Sequence, residues 1–145
     1  MRTIKLILLL IIAFANPLFA QNNENEIIGK WESDKKDVLL EVFKKGDKYY
    51  GRYLWGKDIV ESDGKTSKKD TENPDPKLRS RNVIGITSLT NLTWNGKEYV
   101  DGKIYNAPSG DTYSCKLWIK KNKLYLRGYL GISLLGQTAT FHKID

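Results

Sequence analysis

One cysteine and one histidine are all the thiol and imidazole this chain contains, and both scarcities exclude chemistry. A lone Cys115 forbids an intrachain disulfide, so the fold has to stand on its core. In TYSCKLWI, Tyr113, Cys115, Leu117 and Ile119 share one face of a period-two pattern, which makes Cys115 a small apolar core residue rather than a reactive thiol. A structural zinc site needs several Cys or His ligands, and there is one of each. His142 stands in a strand pattern near the C-terminus with no nucleophile motif, so a Ser-His-Asp arrangement has no support. The acids Asp58, Glu61, Asp63, Asp70, Glu72 and Asp75 miss the spacing of a calcium loop, and lysines are interspersed among them. No catalytic residue, metal or cofactor is assigned.

Also missing, beyond the first twenty residues, is any sustained helical period; a single turn near Pro76 to Arg81 is the one exception. Those first twenty, MRTIKLILLLIIAFANPLFA, have the layout of a secretory signal: Arg2 and Lys5, an apolar run from Leu6 to Phe14, and Ala20 before Gln21. The expected organisation is a signal peptide at 1–20 and one domain at 21–145, with a periplasmic or secreted location. Removing Arg2 and Lys5 takes the 24 Lys+Arg to 22 against 17 Asp+Glu, a balance of +5. The lysines are scattered over turns and strand faces, as on a solvated surface, although a basic exported protein also suits envelope lipid or polymer. Export argues against a nucleic-acid partner.

What is present is a succession of strand signals separated by turn signals. IIGKWES opens it, followed by VLLEVFKK (Val38 to Lys45), Gly46-Asp47, and KYYGRYLW (Lys48 to Trp55). Then come VIGITSLTNL (Val83 to Leu92), Asn95-Gly96, KEYVDGKIY (Lys97 to Tyr105), TYSCKLWIK (Thr112 to Lys120), KLYLRGYLG (Lys123 to Gly131) and QTATFHKI (Gln137 to Ile144). About eight antiparallel strands in a chain of this length predict an all-β fold whose edges are removed by closure, an up-and-down barrel or a sandwich. A barrel of that strand number is filled by side chains or holds one small ligand.

In KLYLRGYLG, one face carries Leu124, Leu126, Gly128 and Leu130, the other Tyr125, Arg127 and Tyr129, and alternation alone does not say which looks inward. An inward Tyr/Arg face, with Tyr105 and Tyr113, would give a ligand an aromatic wall and one cation suited to an anionic head group. The alternative, which is preferred, makes Arg127 a structural clamp stacked on a ring such as Trp31.

Between Trp55 and Val83 runs a connection far longer than those that join most strands. Its first half, ESDGKTSKKD, is polar and expected to move. Its second, ENPDPKLRSRN, is expected to be ordered: prolines restrict the backbone, Asn73 and Asp75 can bond nearby N–H groups, and Leu78 offers an apolar anchor. Pairing of Asp70 or Asp75 with Arg79 or Arg81 would hold the segment across one barrel end, as a cap or as a lid over a pocket mouth.

Gly29-Lys30-Trp31 at the first strand, with Arg127 on a late one, resembles the lipocalin pattern, in which the tryptophan plugs the closed end and the arginine packs over it. The run Asp70-x-x-Asn73-Pro74-Asp75-Pro76-x-Leu78-Arg79-x-Arg81, then Gly85, then Gly102-x-Ile104-Tyr105-Asn106-x-Pro108-x-Gly110-x-x-Tyr113, then Leu126-Arg127-Gly128-Tyr129-x-Gly131, resembles the bacterial exported family called domain of unknown function 2147. That resemblance implies a lipocalin-like β-barrel outside the cytoplasm and brings no activity or ligand with it. The chain departs from the pattern at Phe141, where a tryptophan is expected, and at Gln137, where an arginine is common. Three readings follow: a binding protein for a small, lipid-like or amphipathic molecule; an envelope structural or interaction protein with a filled barrel, meeting lipid, polymer or protein; and, last, a hydrolase using the acids and arginines of the long segment.

Overall fold

The computed structural model describes residues 23–130 and 136–144. The expected signal peptide at 1–20, and Gly131 at the end of one expected strand, lie outside them. Among the described residues eight strands follow in order: β1 Gly29–Ser33, β2 Val38–Lys45, β3 Lys48–Gly56, β4 Thr87–Trp94, β5 Tyr99–Asn106, β6 Asp111–Lys120, β7 Lys123–Tyr129 and β8 Gln137–Ile144. Each pairs antiparallel with the next, and β8 pairs with β1, so the sheet closes into an up-and-down barrel. Closure leaves no open edge for another chain to join.

Alternation sends one face of every strand inward. Leu40 and Val42, Cys115 and Leu117, and Leu124 and Leu126 occupy positions two apart, Tyr49 and Tyr53 four apart on the same face, and all are buried. Each such apolar side chain taken out of water contributes roughly 1.5–3 kcal/mol before the entropy of ordering it. Cys115 is fully buried, and burial pushes its thiol pKa up to about 12, so it is a core residue as its pattern implied. Opposite it, Gly102 has no space for a side chain: a Cβ there would run into Leu92 and lie 2.9 Å from the Cys115 Sγ.

One end of the barrel is stoppered by the turn before β1. Ile27 is fully buried, the Trp31 indole Nε1 donates to the Ile27 carbonyl at 2.8 Å, Tyr49 donates to Asn25 Oδ1 at 2.9 Å, and Tyr99 donates to the Glu24 carbonyl at 2.6 Å. The cation over the Trp31 ring is Lys143, its Nζ 5.4 Å from the centroid, because Trp31 and Lys143 are register partners across β1 and β8. This corrects the expectation that Arg127 clamps Trp31. Arg127 lies opposite Thr138 at the other end of the barrel, and its Nη1 donates to Thr138 Oγ1 at 2.7 Å.

The long connection, residues 57–86, springs from that other end. It holds two short 3-10 turns, Lys57–Ile59 and Pro76–Leu78, and two bridges, Val60 with Ser67 and Lys69 with Asn82. The lysine-rich half is organised by Asp63, which accepts from the N–H groups of Lys65 and Thr66 at 2.9 and 2.8 Å. The strand expected from Val83 begins only at Thr87. Gly85 has φ +90°, which interrupts extended backbone, and Val83 is instead buried as an anchor of the connection.

Candidate functional site

The open end contains a cavity of about 750 Å³, within the range of roughly 300–1,000 Å³ usual for small-molecule pockets. Its deep wall is apolar: Val38 from β2, Ile104 from β5, Leu126 from β7 and Phe141 from β8 all line it. Gly128 keeps the space open, since a Cβ there would find its nearest neighbours, Ile104 and Tyr113, only at 3.8 and 4.0 Å. Tyr53 adds a hydroxyl that donates to the Tyr105 carbonyl at 2.9 Å, and burial pushes its pKa up. Around the rim are polar groups, among them Asp37, Asn106 and Gln137.

The β1–β2 turn brings one charge to this rim in a fixed position. Ser33 Oγ donates to Asp37 Oδ1 at 2.6 Å and accepts from the N–H groups of Asp37 and Val38 at 2.9 and 3.0 Å. Ser33 itself is buried, so the carboxylate is held from inside the barrel wall.

Of the five side chains proposed from sequence to line a pocket, Tyr113 and Tyr129 border the cavity. The other three do not. Tyr125 is on the outer face, stacked on Trp118 with centroids 5.3 Å apart and planes 6° apart. Arg127 shares that face, because Leu126 and Gly128 on either side of it turn inward. Tyr105 alternates with the inward Ile104 and meets the long connection instead.

That meeting is the second polar constellation. Asp70 is fully buried; its Oδ1 accepts from the Tyr105 hydroxyl at 2.5 Å, and its Oδ2 accepts from Asn73 Nδ2 at 2.8 Å and from Arg81 Nε at 2.9 Å. Burial pushes the Asp70 pKa up, but the bonds from Tyr105, Asn73 and Arg81 together outweigh it and hold the carboxyl below its usual range. The Tyr105 hydroxyl is pushed up to about 12, by burial first and then by its bond to Asp70. Arg79 Nε donates to the Asn73 carbonyl at 2.8 Å, and Asp75 caps the Pro76–Leu78 turn by accepting from Lys77 N–H at 3.0 Å. Leu78, expected as the apolar anchor, is 36% exposed and lies outside the buried core; Ile59 and Val83, at 4% and 2%, are buried residues of the segment that belong to it.

No residue of 57–86 lines the cavity, which corrects the reading of this segment as a lid over the mouth. It braces the rim from the side. A Cβ on Gly110, in the β5–β6 turn, would collide with the Glu72 carbonyl, so the segment lies directly on that turn. Reasoning from sequence missed Asp37 and Ser33, which carry no motif. It had the signal for Leu126, on the apolar face of its strand, and left the choice of face open.

The sequence matches, over residues 29–143, the model of the family described as "Uncharacterized protein conserved in bacteria (DUF2147)". Among solved structures, it is similar to the Helicobacter pylori protein HP1028, described as belonging to the lipocalin family. The TM-score is 0.71 and the identity 29%, with 82% of this chain and 83% of that chain covered. None of the curated proteins matches the chain.

Proposed function

The chain belongs to the family of uncharacterized bacterial proteins DUF2147, and we propose that it is an exported lipocalin-like binding protein that takes one small amphipathic molecule into the mouth of its barrel. The observation that carries this reading is the cavity of about 750 Å³, apolar on Leu126 and Phe141 and polar around its rim. Such a site takes an apolar body inward and leaves a head group at the water interface. The lipocalin-like fold supports the same reading. Export is supported by the composition of the first twenty residues, and N-terminal sequencing of the secreted form is expected to begin at Gln21.

Native mass spectrometry of gently purified protein, followed by solvent extraction, tests the binding. A bound molecule of a few hundred daltons, or stoichiometric uptake of a neutral apolar dye, is expected; a protein that carries nothing and takes up no dye overturns the reading. The rival reading, an envelope interaction protein, draws on the outer face, where Lys116 Nζ lies 5.4 Å from the centre of the Trp118 ring that stacks on Tyr125. It expects affinity for a macromolecule that depends on Trp118 and not on the mouth.

A further inference from the structure

We infer that the mouth prefers amphiphiles whose head group donates hydrogen bonds or carries positive charge, and that Asp37 sets this preference. The inference rests on the binding reading above and names the ligand class.

Among the described residues, two charged side chains line the cavity, Lys35 and Asp37. Lys35 is exposed on the β1–β2 turn, free to swing into water. Asp37 is half-buried and fixed, because the buried Ser33 hydroxyl donates to its Oδ1 at 2.6 Å. Among the described residues no ion pair includes Asp37, and its second carboxylate oxygen has no hydrogen-bond partner. The Asn106 side-chain amide, also on the cavity wall, likewise makes no bond among them. The open oxygen of Asp37 therefore stands at the edge of an apolar wall, where water screens it less than on an open surface.

A carboxylate can only accept hydrogen bonds, and it repels a second carboxylate held close to it. An ammonium or hydroxyl head resting at the rim, with its chain against Leu126 and Phe141, satisfies Asp37; a fatty-acid head there meets like charge. Arg127, the cation that would have favoured an anionic head, is on the outer face and bonded to Thr138. The Ser33 bond makes Asp37 a specificity determinant rather than a mobile surface acid, since the carboxylate need not be ordered again on binding.

Displacement of Nile red by dodecylamine, dodecanol and dodecanoate at neutral pH, each below its micellar concentration, tests this. The expected order of affinity is amine, alcohol, carboxylate, with about a tenfold gap between the first and last, as for one charge-assisted hydrogen bond. Asp37→Asn keeps an acceptor for Ser33 but removes the charge, and is expected to bring the affinity of the amine down to that of the alcohol. Dodecanoate binding as tightly as the amine to the wild-type protein, or an amine preference that survives Asp37→Asn, overturns the inference and leaves the binding reading standing. Failure of Nile red and of all three chains to bind overturns both.

Discussion

At one end of the barrel Ile27, Trp31, Tyr49 and Tyr99 are each no more than 2% exposed; at the other, Leu126 and Phe141 face a cavity of about 750 Å³. Both ends are built from the same inward alternation, so the pattern of apolar residues is not what separates them. Side-chain size and the fate of the adjoining chain are. At the closed end three large rings are buried, with Tyr49 edge-on to Tyr99 at 5.1 Å, and the turn at Glu24 to Ile27 accepts their hydroxyl and indole donors. At the open end the inward positions include Ser33, Val38 and Gly128, and the long connection lies beside the rim instead of entering it. A barrel of this strand number holds a ligand only where the chain declines to fill it.

The sharpest way to break that contrast is to empty each end in turn. Trp31→Ala removes a ring enclosed on every side together with the indole bond to Ile27, and is expected to cost about 3–5 kcal/mol. Leu126→Ala enlarges a space that is already open, so little new sealed void is made, and about 2 kcal/mol, the low end for such a change, is expected. Urea unfolding of both variants measures the difference. Equal losses would mean that the two ends are packed alike.

The brace on the open rim gives a smaller and more local effect. Asp70→Asn leaves an acceptor for Tyr105 but deprives Arg81 of its anion, a change expected to cost about 1–3 kcal/mol. Limited proteolysis is expected to cut within 57–86 while the barrel stays folded. The pH dependence follows from the sign of the shift. A carboxyl whose folded pKa lies below its unfolded value of 3.8 contributes stability that is present above that value and lost as pH falls through the folded pKa. Amide exchange in 57–86 is therefore expected to stay slow through mild acid and to quicken only below pH 3.8, and Asp70→Asn should remove that acid step. Release near neutral pH would show that the carboxylate is not held as described.

Much of the fold was legible because strands and turns are local: Val38–Lys45 and Gln137–Ile144 stand where the alternation put them. The order of pairing followed from short turns. What the sequence could not resolve was which face of β7 looks inward, since a period of two yields two faces of equal regularity. Tyr125 is on the outside because Trp118, its register partner on β6, stacks on it there, a contact visible only once the strands are paired. The Asp70–Tyr105 bond was hidden for the same reason, as it joins residues 35 apart. Between Asp70 and Asp75, and Arg79 and Arg81, the fold chose Asp70 with Arg81, for the Lys69–Asn82 bridge brings their backbones together. The stopper before β1 escaped notice, although Ile27 close to Trp31 was its trace in the sequence.

The smallest change in stability should bring the largest change in binding. Gly128 is the one inward position on β7 without a side chain, and the nearest atoms to a Cβ there, on Ile104 and Tyr113, stand at 3.8 and 4.0 Å, ordinary contact distances. Gly128→Phe therefore places a ring in the mouth without forcing its neighbours apart. In a strand, a bulky residue is also favoured over glycine, by roughly 1 kcal/mol at most. The melting temperature is expected to stay level or rise slightly, while dye uptake at the mouth falls at least tenfold, read by fluorescence titration. The same substitution at Gly102, where a Cβ would lie 2.9 Å from Cys115 Sγ, should instead unfold the protein. If dye still binds to Gly128→Phe with wild-type affinity, the ligand enters elsewhere, and the open end is no more a binding site than the stoppered one.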